Sequence, residues 1–529
     1  MLDVSNRLKT SDPEYFYALC VSALFLSASL VIVSFSPESR IGSADVAISY
    51  AVLITWVSCR MMNRPGGTSA LPFFLLGTAI FFGMGTYIAV HEPQAHNFFT
   101  IDEQEHLLSK VNLVNALSVF VIVLFAGIQG RRPAGGVPAH TAAKTLELFL
   151  PWLPGLLLLA LPSHALAWIT FPHVESNLLH SILRLIDFFT LFAVFIGAAL
   201  FHRVRPVLRA IILMLVVLYF LEGMLSLSKR TMLSPILVLG SGFWIGGYYR
   251  RAAGLMFVTG VAAYFLLLTA IVPLGRGHAL YHPFKNTVSE RTQIVSEVLA
   301  DLPNIDHSHR RDKAFSRLSP TQFSASFILS YDLGARGESL SQASYVLIPR
   351  IFWSDKPPIT PGKHFDSIWR GAESTSGLGI TYSAEAYWNY GWAGVVVVSI
   401  YMGLMIGWFS GRWYKYQRYG VAYIGVFIFH PWASRNLLLV ESSVVGTFFG
   451  GMIKLAVLIL LLDVTIRVLR ALPLFADRLD AMVHPALVSP GPAPGMLAWV
   501  HRRIDLMRFY AEARRITFRF QSRKAVPAG

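Results

Sequence analysis

Between Tyr345 and Pro358 the chain reads YVLIPRIFWSDKPP, with Arg350, Asp355 and Lys356 interleaved with Phe352 and Trp353. Cations beside aromatic rings suit three surroundings. One is the bilayer interface, where amphipathic rings sit at headgroup level. Another is the face of a sugar, and the third is a phosphate, which a planar guanidinium grips through two parallel N–H donors. The string belongs to a polar segment from Gly275 to Gly391 that carries twelve basic and eleven acidic side chains, so its charges act singly and not as an electrostatic sponge. Within it, TVSERTQIVSEVLA and PTQFSASFILSYDLG are patterned as short helices, the second opened by Pro320 at a favourable first-turn position. Metal chemistry is not indicated: there is no HExxH or DxD, and His278, His282, His307 and His309 are spaced as loop histidines. No metal or other cofactor is expected.

What positions this segment is apolar chain. Of the 529 residues, 54% are hydrophobic and 14% charged, and the mean hydropathy is +0.52. That composition excludes a soluble multidomain protein and fits an all-α polytopic membrane protein, because only helices or closed barrels satisfy the backbone in hydrocarbon and uninterrupted apolar runs favour helices. Runs long enough to cross a core of about 30 Å predict about twelve spans, at 16–35, 46–62, 71–90, 112–128, 146–161, 182–201, 211–225, 232–248, 255–274, 393–409, 421–433 and 452–467. The first run has no small-residue cleavage site and reads as a retained anchor. Cys20 and Cys59 both sit in apolar spans, so no disulfide framework is expected.

Connecting loops alternate in charge. Arg60 and Arg64, Arg131, Arg132 and Lys144, Arg203, Arg205 and Arg209, Arg250 and Arg251, and Arg412, Lys415 and Arg418 fall on one side, which the positive-inside rule makes the cytoplasm. Both termini are then cytoplasmic and the long segment is extracytoplasmic. The chain divides into an N-terminal bundle of about nine spans (1–274), one large extracytoplasmic loop (275–391), C-terminal spans (392–470) and a basic cytoplasmic tail (471–529). In the tail, Leu497, Val500, Ile504 and Met507 alternate with His501, Arg502, Arg503 and Arg508, the pattern of an amphipathic helix lying on anionic lipid. Tail and loop bias account for much of the net charge of +15, so nucleic-acid binding is not inferred.

Three places break the alternation or the apolar runs. Lys229 and Arg230 lie where basic residues are disfavoured, just after Glu222, and read either as helix-end cations or as site residues. Arg184 and Asp187 share a helix face. Arg435, Asn436 and Glu441 interrupt an apolar stretch, as a break or re-entrant segment does.

Four motifs follow one another in and after the long loop: R-x-S-P at Arg317–Pro320, I-P-R-x-x-W-x-D-K-P at Ile348–Pro357, P-G-K at Pro361–Lys363, and A-E-A-Y-W-N-Y-G-W-x-G at Ala384–Gly394. In that order, before a late span, they resemble bacterial Wzy-type oligosaccharide repeat-unit polymerases. The resemblance covers mainly residues 222–400, while the earlier spans match in hydropathy only. It implies a GT-C-like helical bundle in the bacterial inner membrane that joins oligosaccharide units carried on undecaprenyl diphosphate at the extracytoplasmic face, with a flippase and a chain-length regulator as possible partners. Such a reaction needs fixed cations for the departing diphosphate and an acceptor for the hydroxyl proton. Arg350 and Arg317, with Lys356, Lys363, Lys229 and Arg230, are all expected on the required side. Glu385 and His364 are the candidate bases, with Asp366 as a further alternative. Tyr387 and Trp388 are placed to hold sugar or the polyprenyl stem, or to form an interfacial aromatic belt. An O-antigen ligase shares the topology and the diphosphate grip. A transporter or flippase is the reading from another class, although a long loop placed once, late in the chain, argues against its two matching halves.

Overall fold

The computed structural model describes residues 13–63, 70–91, 101–129, 150, 153–170, 190–246, 250–263, 269–281, 286–301, 304, 319–348, 353, 379–416, 432–433, 436–437, 443–453 and 455–456. They all lie in one compact unit, Met1–Leu469. The described residues contain helices and no strand.

Fourteen helical elements are used below: α1 (Pro13–Phe35), α2 (Arg40–Asn63), α3 (Leu71–His91), α4 (Ile101–Gln129), α5 (Leu153–Thr170), α6 (Thr190–Ala199), α7 (Pro206–Leu225), α8 (Lys229–Gly246), α9 (Arg250–Ala263), α10 (Thr269–Gly277), α11 (Val288–Asp301), α12 (Thr321–Asp332), α13 (Tyr382–Tyr416) and α14 (Val444–Ile453). Six stretches are long and apolar enough to cross a membrane: Pro13–Phe35, Arg40–Met62, Leu71–His91, Leu107–Ile128, Pro206–Leu225 and Tyr382–Trp408. The protein is thus an α-helical membrane protein, and these six coincide with six of the expected spans. Leu153–Pro162, Thr190–Ala199, Thr231–Gly246 and Val444–Ile453 are shorter apolar helices. The expected span at 421–433 falls almost wholly outside the described residues, as do Arg184, Asp187, Arg435, Glu441 and the C-terminal tail.

Hydroxyls inside the apolar helices bond to their own backbone: Ser22 Oγ donates to Ala18 O at 2.7 Å and Ser58 Oγ to Ile54 O at 2.7 Å. This removes the cost of an unpaired polar group in a medium without water. α3 is regular α-helix only at its ends, because Ala79–Met84 winds as a π-helix, and α14 opens with a second π segment, Val444–Phe449. Such bulges recur at functional sites. Tyr382 of α13 ties the two together, its ring 5.9 Å from Phe74, 5.8 Å from Phe82 and 6.3 Å from Phe448.

The polar segment 275–391 is not one free loop. α11 forms as its sequence predicts and is opened by a capping box: Thr287 N donates to Glu290 Oε2 at 2.7 Å, and Glu290 N to Thr287 Oγ1 at 3.3 Å. Hydrogen bonds from the Thr287 backbone and the Asn286 amide hold the Glu290 carboxyl below the usual carboxylate range. α12 forms as well, with Pro320 at the N-cap. Eight of its twelve residues are buried, so it lies inside the bundle and packs on α4 and α13. The last part of the segment is also helical: α13 starts at Tyr382, eleven residues before the apolar run expected at 393. The stretch Tyr382–Asn389 lacks an apolar run, yet every residue in it is buried by neighbouring helices.

Candidate functional site

α13 is two helices in line. At Tyr390 (φ −139°, ψ 19°) and Gly391 (φ 58°, ψ −145°) the backbone leaves the helical region. Gly391 is required there, since a Cβ would strain that φ and lie 2.8 Å from the Tyr331 hydroxyl. A broken helix at membrane depth is tolerated where protein or a cavity surrounds it. This one carries Glu385 on its short first half.

Glu385 is fully buried. Ser339 Oγ donates to its Oε1 at 2.8 Å and Ser443 Oγ to the same oxygen at 3.3 Å, while Val444 N donates to Oε2 at 2.6 Å. Asn389, one turn on, donates to Ser339 Oγ at 3.0 Å and to Glu385 O at 2.8 Å, and accepts from Leu340 N at 2.9 Å. The carboxylate therefore joins α13, the Ser339 turn and the start of α14. Its partners are hydroxyls and one amide, with no cation among the described residues.

Trp388 and Tyr387 face other neighbours. Trp388 is buried in a small cluster with Phe327, Ile380 and Ala384, and its Nε1 donates to Ala335 O at 3.0 Å. Gly337 N donates to Trp388 O at 3.0 Å, and a Cβ on Gly337 would lie 2.5 Å from the indole. Trp388 is thus enclosed by the turn and not presented to a ligand. Tyr387 is nearly as buried; its hydroxyl donates to Asp332 Oδ1 at 3.0 Å, and Lys110 Nζ, ion-paired with Asp332 Oδ2, sits 5.3 Å from its ring centre. Tyr331 and Trp392 each lie 5.2 Å from Tyr387 at steep ring angles, and Arg336 stands 5.5 Å from the Tyr331 ring. Trp392 and Tyr390 are partly exposed, so cations and aromatics gather at the edge of the broken helix.

A polar seam runs along α4. Ser109, Asn112, Asn115 and Ser118 repeat every third residue on α4 and are all buried. Asn112 Nδ2 donates to Ser43 O at 2.8 Å and Thr86 Oγ1 to Asn112 Oδ1 at 3.1 Å, while Thr86 and Thr321 share a hydrogen bond of 3.3 Å. Ser383 Oγ donates to Asn115 Oδ1 at 2.6 Å, Ser324 and Thr381 share a bond of 3.0 Å, and Ser118 and Ser399 one of 2.6 Å. The seam stitches α2, α3, α4, α12 and α13 together. It was not read from the sequence, although two asparagines, Asn112 and Asn115, in an apolar span are a signal that could have located it.

Of the site residues named from sequence, the structure brings Glu385, Tyr387 and Trp388 onto one short helix. Lys229 and Arg230 open α8 after a reversal at Leu227 (φ 48°), away from that helix in sequence. Arg276 fixes the reversal by donating from Nε and Nη2 to Leu227 O at 3.1 and 2.9 Å. Arg317, Arg350, Lys356, Lys363, His364 and Asp366 lie outside the described residues. Sequence reasoning did not find Ser339, Asn389, Ser443, Lys110 or Asp332, whose partnerships cross long stretches of chain.

Residues 144–432 match a family described as a domain of unknown function, DUF8712. The chain belongs to this family. The matched segment holds the polar stretch, α12, Ser339 and Glu385, whereas α1–α4 and Val444 lie beyond it. No curated protein matches the chain, and no solved structure does.

Proposed function

We propose that this protein is an inner-membrane glycosyltransferase with about twelve spans in a GT-C-like bundle, joining undecaprenyl-diphosphate-linked oligosaccharide units into a surface polysaccharide at the extracytoplasmic face. The observation that carries this reading is the packing of the motif-bearing segment into the bundle. Ser339 and α12, which follow the R-x-S-P motif, seat directly on the broken helix that bears A-E-A-Y-W-N-Y-G, through the Ser339–Glu385 bond and the Phe327–Trp388 contact at 5.0 Å. The chain that follows one motif thereby packs against the helix that carries another.

In the reaction, a hydroxyl oxygen of one unit bonds to the anomeric carbon of another. The bond from that carbon to the diphosphate oxygen breaks, and the lipid diphosphate leaves with the electron pair. Arg350 and Arg317 are assigned to the departing charge, with Lys356, Lys363, Lys229 and Arg230 in support. The hydroxyl proton needs an acceptor. Both oxygens of Glu385 are already engaged by donors and shut off from solvent, which favours a positioning role for Glu385 and leaves proton transfer to His364 or to the departing diphosphate.

Deletion of the gene followed by gel analysis of surface polysaccharide tests the assignment. Loss of a polymerase leaves single-unit products. Accumulation of lipid-linked polymer would instead identify a ligase, and lipid-linked single units trapped on the cytoplasmic face would identify a flippase.

A further inference from the structure

α12 begins inside the bundle. Ser319 is fully buried before it, Pro320 occupies its N-cap without supplying a side-chain hydrogen bond, and Thr321 and Gln322 form its first turn. Thr321 bonds to Thr86 of α3 at 3.3 Å, fixing this end against α3 and α4. The first hydrogen bond within the helix runs from Ser324 N to Pro320 O at 2.8 Å, so the N–H groups of Thr321 and Gln322 point out of the helix end. A second observation coincides with this end. Gln322 is 2% exposed, and neither its Oε1 nor its Nε2 has a hydrogen-bond partner; Ser319 Oγ has none either. Side chains on a helix lean toward its N-terminus, so a Gln at the second helical position carries its amide to the same end as the free N–H groups and the Ser319 hydroxyl. Leaving such groups buried and unmatched is costly unless a ligand satisfies them.

We propose that the N-terminus of α12, with Ser319 and Gln322, is a binding site for the phosphate end of a glycosyl diphosphate. Converging N–H groups and the positive end of the helix dipole select an anion. Ser319 Oγ and Gln322 Nε2 add donors to phosphate oxygens. Gln322 Oε1 is an acceptor that phosphate alone leaves unmatched, and a sugar hydroxyl next to the phosphate would donate to it. The identity of the lipid carrier rests on the glycosyltransferase reading above; the anion site itself rests on α12.

The test is binding of radiolabelled undecaprenyl diphosphate, and separately of inorganic diphosphate, to the purified full-length protein in nanodiscs. Wild type should bind both probes, the lipid more tightly. Gln322→Leu should weaken both at least tenfold while the unliganded protein melts no lower than wild type, because an unmatched buried amide has been replaced by an apolar group. Ser319→Ala should weaken both several-fold, and it decides the matter alone if Gln322→Leu does not accumulate. Absence of binding by wild type, or affinities within twofold of wild type in the variants, overturns the site. Weakened binding of inorganic diphosphate in a protein that elongates no lipid-linked unit leaves the site standing and removes the glycosyltransferase reading. Normal elongation with unaffected binding does the reverse.

Discussion

Ser339 donates its hydroxyl proton to Oε1 of Glu385 at 2.8 Å, across 46 residues of chain. Val444 N reaches the other carboxylate oxygen from 59 residues beyond. One carboxylate thus fixes the turn after α12, the first half of the broken α13 and the π-helical start of α14. Without it, three backbone segments at the edge of the polar seam lose their common anchor.

Glu385→Gln retains one acceptor oxygen but turns an N–H₂ toward one of the donors, so a buried donor is left unmatched. The expected loss is about 1–3 kcal/mol of stability, read as a lower melting temperature in detergent. Ser339→Ala, which removes a donor and leaves the carboxylate in place, should lower the melting temperature in the same direction but by less. If Glu385 is also the general base, Glu385→Gln should cost about 10²- to 10⁴-fold in rate, measured on folded protein well below its melting temperature.

Gly391→Ala places a Cβ at φ 58° and within 2.9 Å of the Tyr331 ring. Strain of this kind costs about 1–3 kcal/mol. Removing the ring in Gly391→Ala/Tyr331→Ala should restore only the steric part, and a melting series of the single and double variants checks it.

The Glu290 carboxyl is held below its usual value first by the Thr287 backbone N–H and then by the Asn286 amide. Because the folded value is the lower one, its contribution is complete above the unfolded value of about 4.3 and is lost as pH falls through the folded value. Hydrogen exchange over residues 288–301, corrected for intrinsic rates, should show protection that is constant from pH 7 to 5 and falls below about pH 4. Glu290→Ala should lower the protection at pH 7 and flatten the acid dependence.

How much of this was legible in the sequence varies by element. α1, α2 and α7 announce themselves as continuous apolar runs, and the Thr287-led pattern of α11 and the Pro320-led pattern of α12 were readable as helices. The start of α13 was not, because Tyr382–Asn389 reads as a polar, aromatic loop and is helical only through burial against α3, α12 and α14. Glu385 stood out as a lone carboxylate entering an apolar run. Its partners did not, since Ser339 and Ser443 are ordinary serines until the fold brings them within 3.3 Å of it. Lys110 and Asp332 are 222 residues apart, and no local pattern pairs them.

Arg350→Lys and Arg317→Lys keep the charge but lose the planar two-point grip. Both should reduce polymer length and yield while membrane abundance stays at the wild-type level. Normal polymer from both variants would remove their assignment to the diphosphate.

The most direct measurement is elongation by the purified full-length protein in liposomes, supplied with lipid-linked repeat units extracted from a strain lacking the gene. Chains of two or more units on undecaprenyl diphosphate should form, with one undecaprenyl diphosphate released for each bond formed. Units that stay single, or that transfer only when a lipid A core acceptor is added, would contradict the polymerase reading.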